Sequence, residues 1–144
     1  MDNKITLRIN IILLMYGRIL MLKKQMDIND VYSIVSDERK NNENIFLASS
    51  KIMKEKIGLT IAADKLKIVQ IMLRREDRRG HTRRESIEYF ILATEYHGVI
   101  IPAHINEYYD IYWAEINSLP SNTEEYIKKA IHSYEENIPF SFYG

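Results

Sequence analysis

Residues 4–25 read KITLRINIILLMYGRILMLKKQ, and how this stretch is read decides the fold. Between positions 9 and 22 only Asn10, Gly17 and Arg18 break the apolar run. Lys4 and Arg8 stand in front of it, as basic residues do in a secretory signal. Against targeting, the uninterrupted apolar core at 11–16 is short, Arg18 interrupts the segment, and no small-residue cleavage site follows. A membrane-spanning helix needs about 20 apolar residues, which this stretch does not reach. The expectation is a first helix over 4–25, apolar on nearly every side and covered by other helices.

The rest of the chain is read outward from that helix. The polar cluster at 27–30 suits a cap, and Val31, Ile34 and Val35 mark a short amphipathic helix before a charged loop at 36–43. A helix beginning near Asn44 carries Ile45, Phe46, Ile52, Met53 and Ile57 at helical spacing, with Gly58 where a left-handed C-cap belongs. An extended link at 59–61 leads to a helix from Asp64, with Leu66, Ile68, Val69, Met72 and Leu73 in its stripe. Positions 74–84 read as a helix end, a loop around Gly80 and His81, and a new helix start where Thr82 and Glu85 form a capping box. That helix, with Ile87, Phe90, Ile91 and Thr94, stops at Gly98. Pro102 opens a tyrosine-rich helix that ends before Pro120. Ser121 and Glu124 form a second capping box ahead of a last helix with Ile127, Ala130, Ile131 and Tyr134, followed by a tail at 138–144. Segments 57–63 and 97–103 share a glycine, then apolar residues, then a small-residue helix start; a duplicated helical hairpin and convergent capping both account for this. The expected fold class is all-α, a compact bundle of six or seven helices forming one domain over 1–144.

Composition bounds the function. Lys plus Arg and Asp plus Glu both number 20, so no global field steers the chain to nucleic acid or anionic lipid. The apolar fraction of 46% supports a packed core rather than disorder. Cysteine is absent, which excludes disulfides, a thiolate nucleophile and sulfur-ligated zinc, and agrees with a cytoplasmic location.

Two surfaces stand out as partner-binding. Arg74, Arg75, Arg78, Arg79, Arg83 and Arg84 crowd one stretch, where forked guanidinium groups can grip phosphates or acidic protein. The bland alternative is a solvated helix end with local pairing to Glu76, Asp77 and Glu85. Tyr108, Tyr109, Tyr112 and Trp113 form a second cluster, of the side chains that anchor interfaces or else close a small core. His97, His104, Glu107 and Asp110 lack the one-turn histidine spacing of a metal site. No nucleophile elbow or phosphate-binding glycine loop occurs, so neither a metal, a cofactor nor a catalytic set is expected.

Glu55, Lys56, Ile57, Gly58, Leu59, Thr60, Ile61 and Asp64 carry a resemblance to the phosphotransferase-system regulation domain of bacterial antiterminators. The resemblance implies a helical fold. Met72 and Tyr16 stand where that family's regulatory histidines would, so it implies no phosphorylation switch here. The functional expectation is a non-enzymatic regulator or inhibitor, an immunity or antitoxin-type protein that binds a cognate toxin. The alternative is a degenerate transcription-regulatory module that binds protein or, less favoured, nucleic acid through the arginine loop, with no membrane contact.

Overall fold

The opening stretch is a β-hairpin: β1 (Ile5–Met15) and β2 (Arg18–Met26) meet at a two-residue turn. Tyr16 and Gly17 both take positive φ, 53° and 76°, as the tight turn that matches strand twist requires. The computed structural model describes residues 5–26, 29–76, 84–101 and 108–144, apart from the side chains at 25, 26, 29, 108 and 109. After the hairpin come β3 (Asn29–Ser33), β4 (Val35–Glu38), α1 (Ile45–Ile57), a 3-10 turn (Ala63–Lys65), β5 (Lys67–Glu76), β6 (Arg84–Ala93), β7 (Tyr108–Glu115), α2 (Glu125–Glu135) and β8 (Phe140–Tyr143).

β1 pairs in parallel with β6 from Ile5↔Glu85 to Leu13↔Ala93, and antiparallel with β4 on its other side. β5 continues the sheet antiparallel to β6, and β8 closes it parallel to β5. The resulting order is β4-β1-β6-β5-β8. β2 lies between β3 and β7, antiparallel to both. This smaller sheet joins the larger one at the hairpin, through Leu14↔Ile19 and Met15↔Arg18.

Helices cover both faces. Ile9, Ile11 and Leu13 pack with Ala48, Ile52, Met53 and Ile57 on the α1 side. Ile12, Met72 and Phe90 pack with Ile127, Ala130 and Ile131 on the α2 side. A strand buried on both faces reads as a continuous apolar run, and that run is indistinguishable by pattern from a buried helix.

The all-α expectation is therefore corrected to a mixed α/β sandwich dominated by strands. The helix expected over 31–35 is β3 and β4. The one expected from Asp64 is a 3-10 turn and β5, and the next is β6. The tyrosine-rich helix is, over its described part, β7. Two helices stand where periodicity placed them. In α1 the Asn44 side chain accepts hydrogen bonds from the Phe46 and Leu47 amides, and Gly58 ends the helix at φ 78°. α2 starts at Glu125, and no side chain caps it. The two similar glycine segments are spatial neighbours rather than repeated hairpins. Thr60 and His97 exchange two backbone hydrogen bonds of 2.9 Å, and a Cβ on Gly98 would come within 3.3 Å of the Gly58 carbonyl. Among the described residues no helix is long and apolar enough to cross a membrane.

Candidate functional site

Strand alternation sends Arg8 and Asn10 of β1, Ser86 and Glu88 of β6 and Arg74 of β5 to the α2 face of the larger sheet. There they meet Tyr126 of α2. Glu88 is fully buried at the centre. Its carboxylate accepts from the Asn10 amide at 3.0 Å and from the Ser86 hydroxyl. Arg8 Nε lies 3.5 Å from one of its oxygens, and Arg74 Nη1 lies 3.8 Å from the other. Arg74 also bonds Glu76 at 2.7 Å and places its guanidinium carbon 3.7 Å from the Tyr126 ring centre. Arg8 donates to Ser36 on β4 at 3.2 Å.

A buried carboxylate is tolerated only when it is paired and hydrogen-bonded, and here two cations and two donors surround it. Burial by itself lowers the Arg8 pKa, but Glu88, Tyr126, Glu38 and Asp37 outweigh it and hold that pKa above its ordinary value. Burial pushes the Tyr126 phenol well above its usual range; Glu124 and Glu88 add to this, while Arg74 and Arg8 oppose it. Several buried polar atoms of this group make no hydrogen bond: Arg8 Nε, Asn10 Oδ1, Arg74 Nε, and Glu124 Oε1 at the start of α2. A cavity of about 100 Å³ opens beside the two arginines, lined by Thr6, Arg8, Glu38, Arg74, Glu76, Arg84, Glu85 and Ser86. Cations with spare donors at a small, polar cavity can seat an anion by forked hydrogen bonds.

No family model matches the sequence, and no curated protein does. The fold, in contrast, is shared widely among solved structures. A MutT NUDIX hydrolase from Burkholderia pseudomallei aligns with TM-score 0.76 at 12% identity, covering 90% of this chain and 97% of that one. The mutator MutT protein of Bacillus halodurans gives 0.76 at 14%, over 96% and 90%. The NUDIX domain of Shewanella oneidensis NrtR, solved with ADP ribose, gives 0.70 at 11%, over 95% and 90%. The chain has the NUDIX fold.

The NUDIX likeness overturns the resemblance to the phosphotransferase-system regulation domain. Met72 is a buried residue of a central strand and Tyr16 sits on a hairpin turn, so neither occupies a helix. It also overturns the expectation of a non-enzymatic immunity or antitoxin-type protein, and of a degenerate transcription module. Both rested on a helical scaffold without a site, whereas solved structures that share this fold include hydrolases. The NUDIX sandwich disperses the residues singled out in the sequence. Arg74 enters the cluster and Arg84 lines its cavity, while exposed Arg75 faces the other side and pairs with Glu85 at 3.3 Å. Arg78, Arg79 and Arg83 lie outside the described residues.

Tyr108 and Tyr109 belong to β7, their side chains outside the description. Exposed Tyr112 lies 5.7 Å from Tyr32, and Trp113 stacks on Tyr96 at 6.3 Å beside a second cleft of about 560 Å³. His97 is exposed and Asp110 sits at the surface of β7, whereas His104 and Glu107 lie outside the described residues. Sequence reasoning missed Arg8, Asn10, Glu88 and Tyr126. The available signal was a polar residue set into each of two apolar runs, Asn10 among isoleucines and Glu88 between Ile87 and Tyr89.

Proposed function

We propose that this chain is a hydrolase acting on a phosphate-bearing, nucleotide-type ligand, whose anionic group enters the cavity at Arg8 and Arg74. The observation that carries the reading is the pair of guanidinium groups held around buried Glu88, with neither Nε making a hydrogen bond. The NUDIX fold supports it, since one structural neighbour is a MutT NUDIX hydrolase and another was solved with ADP ribose. A cytoplasmic location fits such a ligand and the cysteine-free composition.

In this reading Glu88 is a positioning residue. It fixes both arginines, whose charge stabilises the electrons that accumulate on phosphoryl oxygens as the bond breaks. Glu38, exposed at the cavity mouth, accepts the proton of the attacking water. A divalent cation would commonly assist such chemistry. Among the described residues no three His, Asp or Glu side chains converge to hold one.

The test is nucleotide or phosphate release from a panel of nucleoside triphosphates, dinucleoside polyphosphates and nucleotide sugars, with and without magnesium or manganese. Turnover of one class is expected, lost in Arg74→Ala and reduced by a hundredfold or so in Glu38→Gln, the size of a general-base contribution. An unreactive panel would sink the proposal.

A further inference from the structure

The larger sheet is covered unequally on its two faces. Among the described residues α1 packs mainly on β1 and β4; Ile91 and Ala93 of β6 are buried in the same cluster, whereas the rows of β6, β5 and β8 nearer Ile5 are only partly covered on that side. Register aligns Leu7, Ile87, Leu73 and Phe142 in one row across the sheet, and Tyr89, Ile71 and Phe140 in the next. Phe140 and Phe142 are 69% and 71% exposed, and Ile5 at the β1 end is 57% exposed. The opposite face of β8 is engaged: the Ser141 hydroxyl bonds Gln70, and Tyr143 packs against Tyr126. The two phenylalanines are therefore held outward by a strand whose other side is locked into the core.

We propose that this face is where a second copy of the chain docks, sheet against sheet about a twofold axis. Area and charge both favour a copy of itself. The exposed parts of Phe140, Phe142 and Ile5, with their half-buried row neighbours, present on the order of 500–600 Å², approaching the ~800 Å² per partner of a stable interface. At the edge of this face, among the described residues, Arg75 and half-buried Glu85 pair with each other at 3.3 Å within one chain, so neither charge is left uncompensated against a second copy. The formal net charge of zero leaves no repulsion between copies. Aligned sheets pack about 10 Å apart, close enough for opposed phenylalanines to interdigitate. Arg8, Arg74 and Ser86 of the arginine cavity face the other side of the sheet, with Glu85 at the edge between the two, so this inference does not depend on the proposed reaction.

Sedimentation of the full chain across a range of concentrations tests it. A mass twice that of the monomer is expected, reverting to monomer in Phe140→Glu/Phe142→Glu with unchanged circular dichroism. Leu47→Glu, an equally exposed apolar site on α1, should leave the dimer intact. If the double variant unfolds, hydrogen exchange of the wild type decides, with amides of β5 and β8 gaining protection as concentration rises. A wild type that stays monomeric, whether or not its phenylalanine face captures a hydrophobic dye, overturns the proposal. So does a dimer indifferent to the phenylalanine changes.

Discussion

Glu88 shows what a single residue controls here. Its carboxylate compensates two guanidinium groups that are themselves largely buried, so removing it strands both. Glu88→Ala should cost about 3–5 kcal/mol in urea denaturation, the loss typical of breaking a buried ionic set. A cost near that of an exposed residue would show that water already solvates the cluster. Tyr126 adds a pH signature. Its folded pKa is raised above the ordinary value of 10.0, so the neutral phenol is the folded form. Below an alkaline pH of about 10 both states keep the proton and stability is unaffected; above it the unfolded chain ionises first and stability falls as pH rises. Tyr126→Phe should remove that alkaline loss, read as a flatter dependence of the denaturation midpoint on pH between about 8 and 11.

At the scale of elements, the hairpin turn explains the largest misreading. Tyr-Gly lacks the asparagine or aspartate that usually announces a two-residue turn, and tyrosine pays a steric cost at φ 53°. Tyr16 is 99% exposed and so contributes nothing to packing that would offset this. Tyr16→Asn should stabilise the chain by about 0.5–1 kcal/mol, measured by thermal or chemical denaturation. Helices α1 and α2 were legible because each packs on one sheet face, so its apolar residues recur at 3.6 spacing against a polar outer side. β1 and β6 were not, because layers on both faces erased the alternation that marks a strand.

For the molecule as a whole, two separate cores flank one sheet. Ile52→Ala on the α1 side and Ile127→Ala on the α2 side should each cost about 2–5 kcal/mol. Because the two belong to different clusters, the double variant should lose close to the sum, within about 0.5 kcal/mol. A large departure would mean that the layers fail as one unit through the central strands.

Composition and local periodicity alone determined a folded chain with a substantial core, no disulfides, and two capped or amphipathic helices. Those properties depend on neighbours within a turn or two of sequence. Whether 4–25 became helix or hairpin was decided by partners distant in sequence: β6, 80 residues on, beside β1, and two helices above and below it. The candidate site has the same origin, since Arg8, Arg74 and Glu88 converge only when three strands take their register. Ionic and hydrogen-bonding geometry acts over a few ångströms in space, and only the tertiary fold makes residues distant in sequence near in that sense.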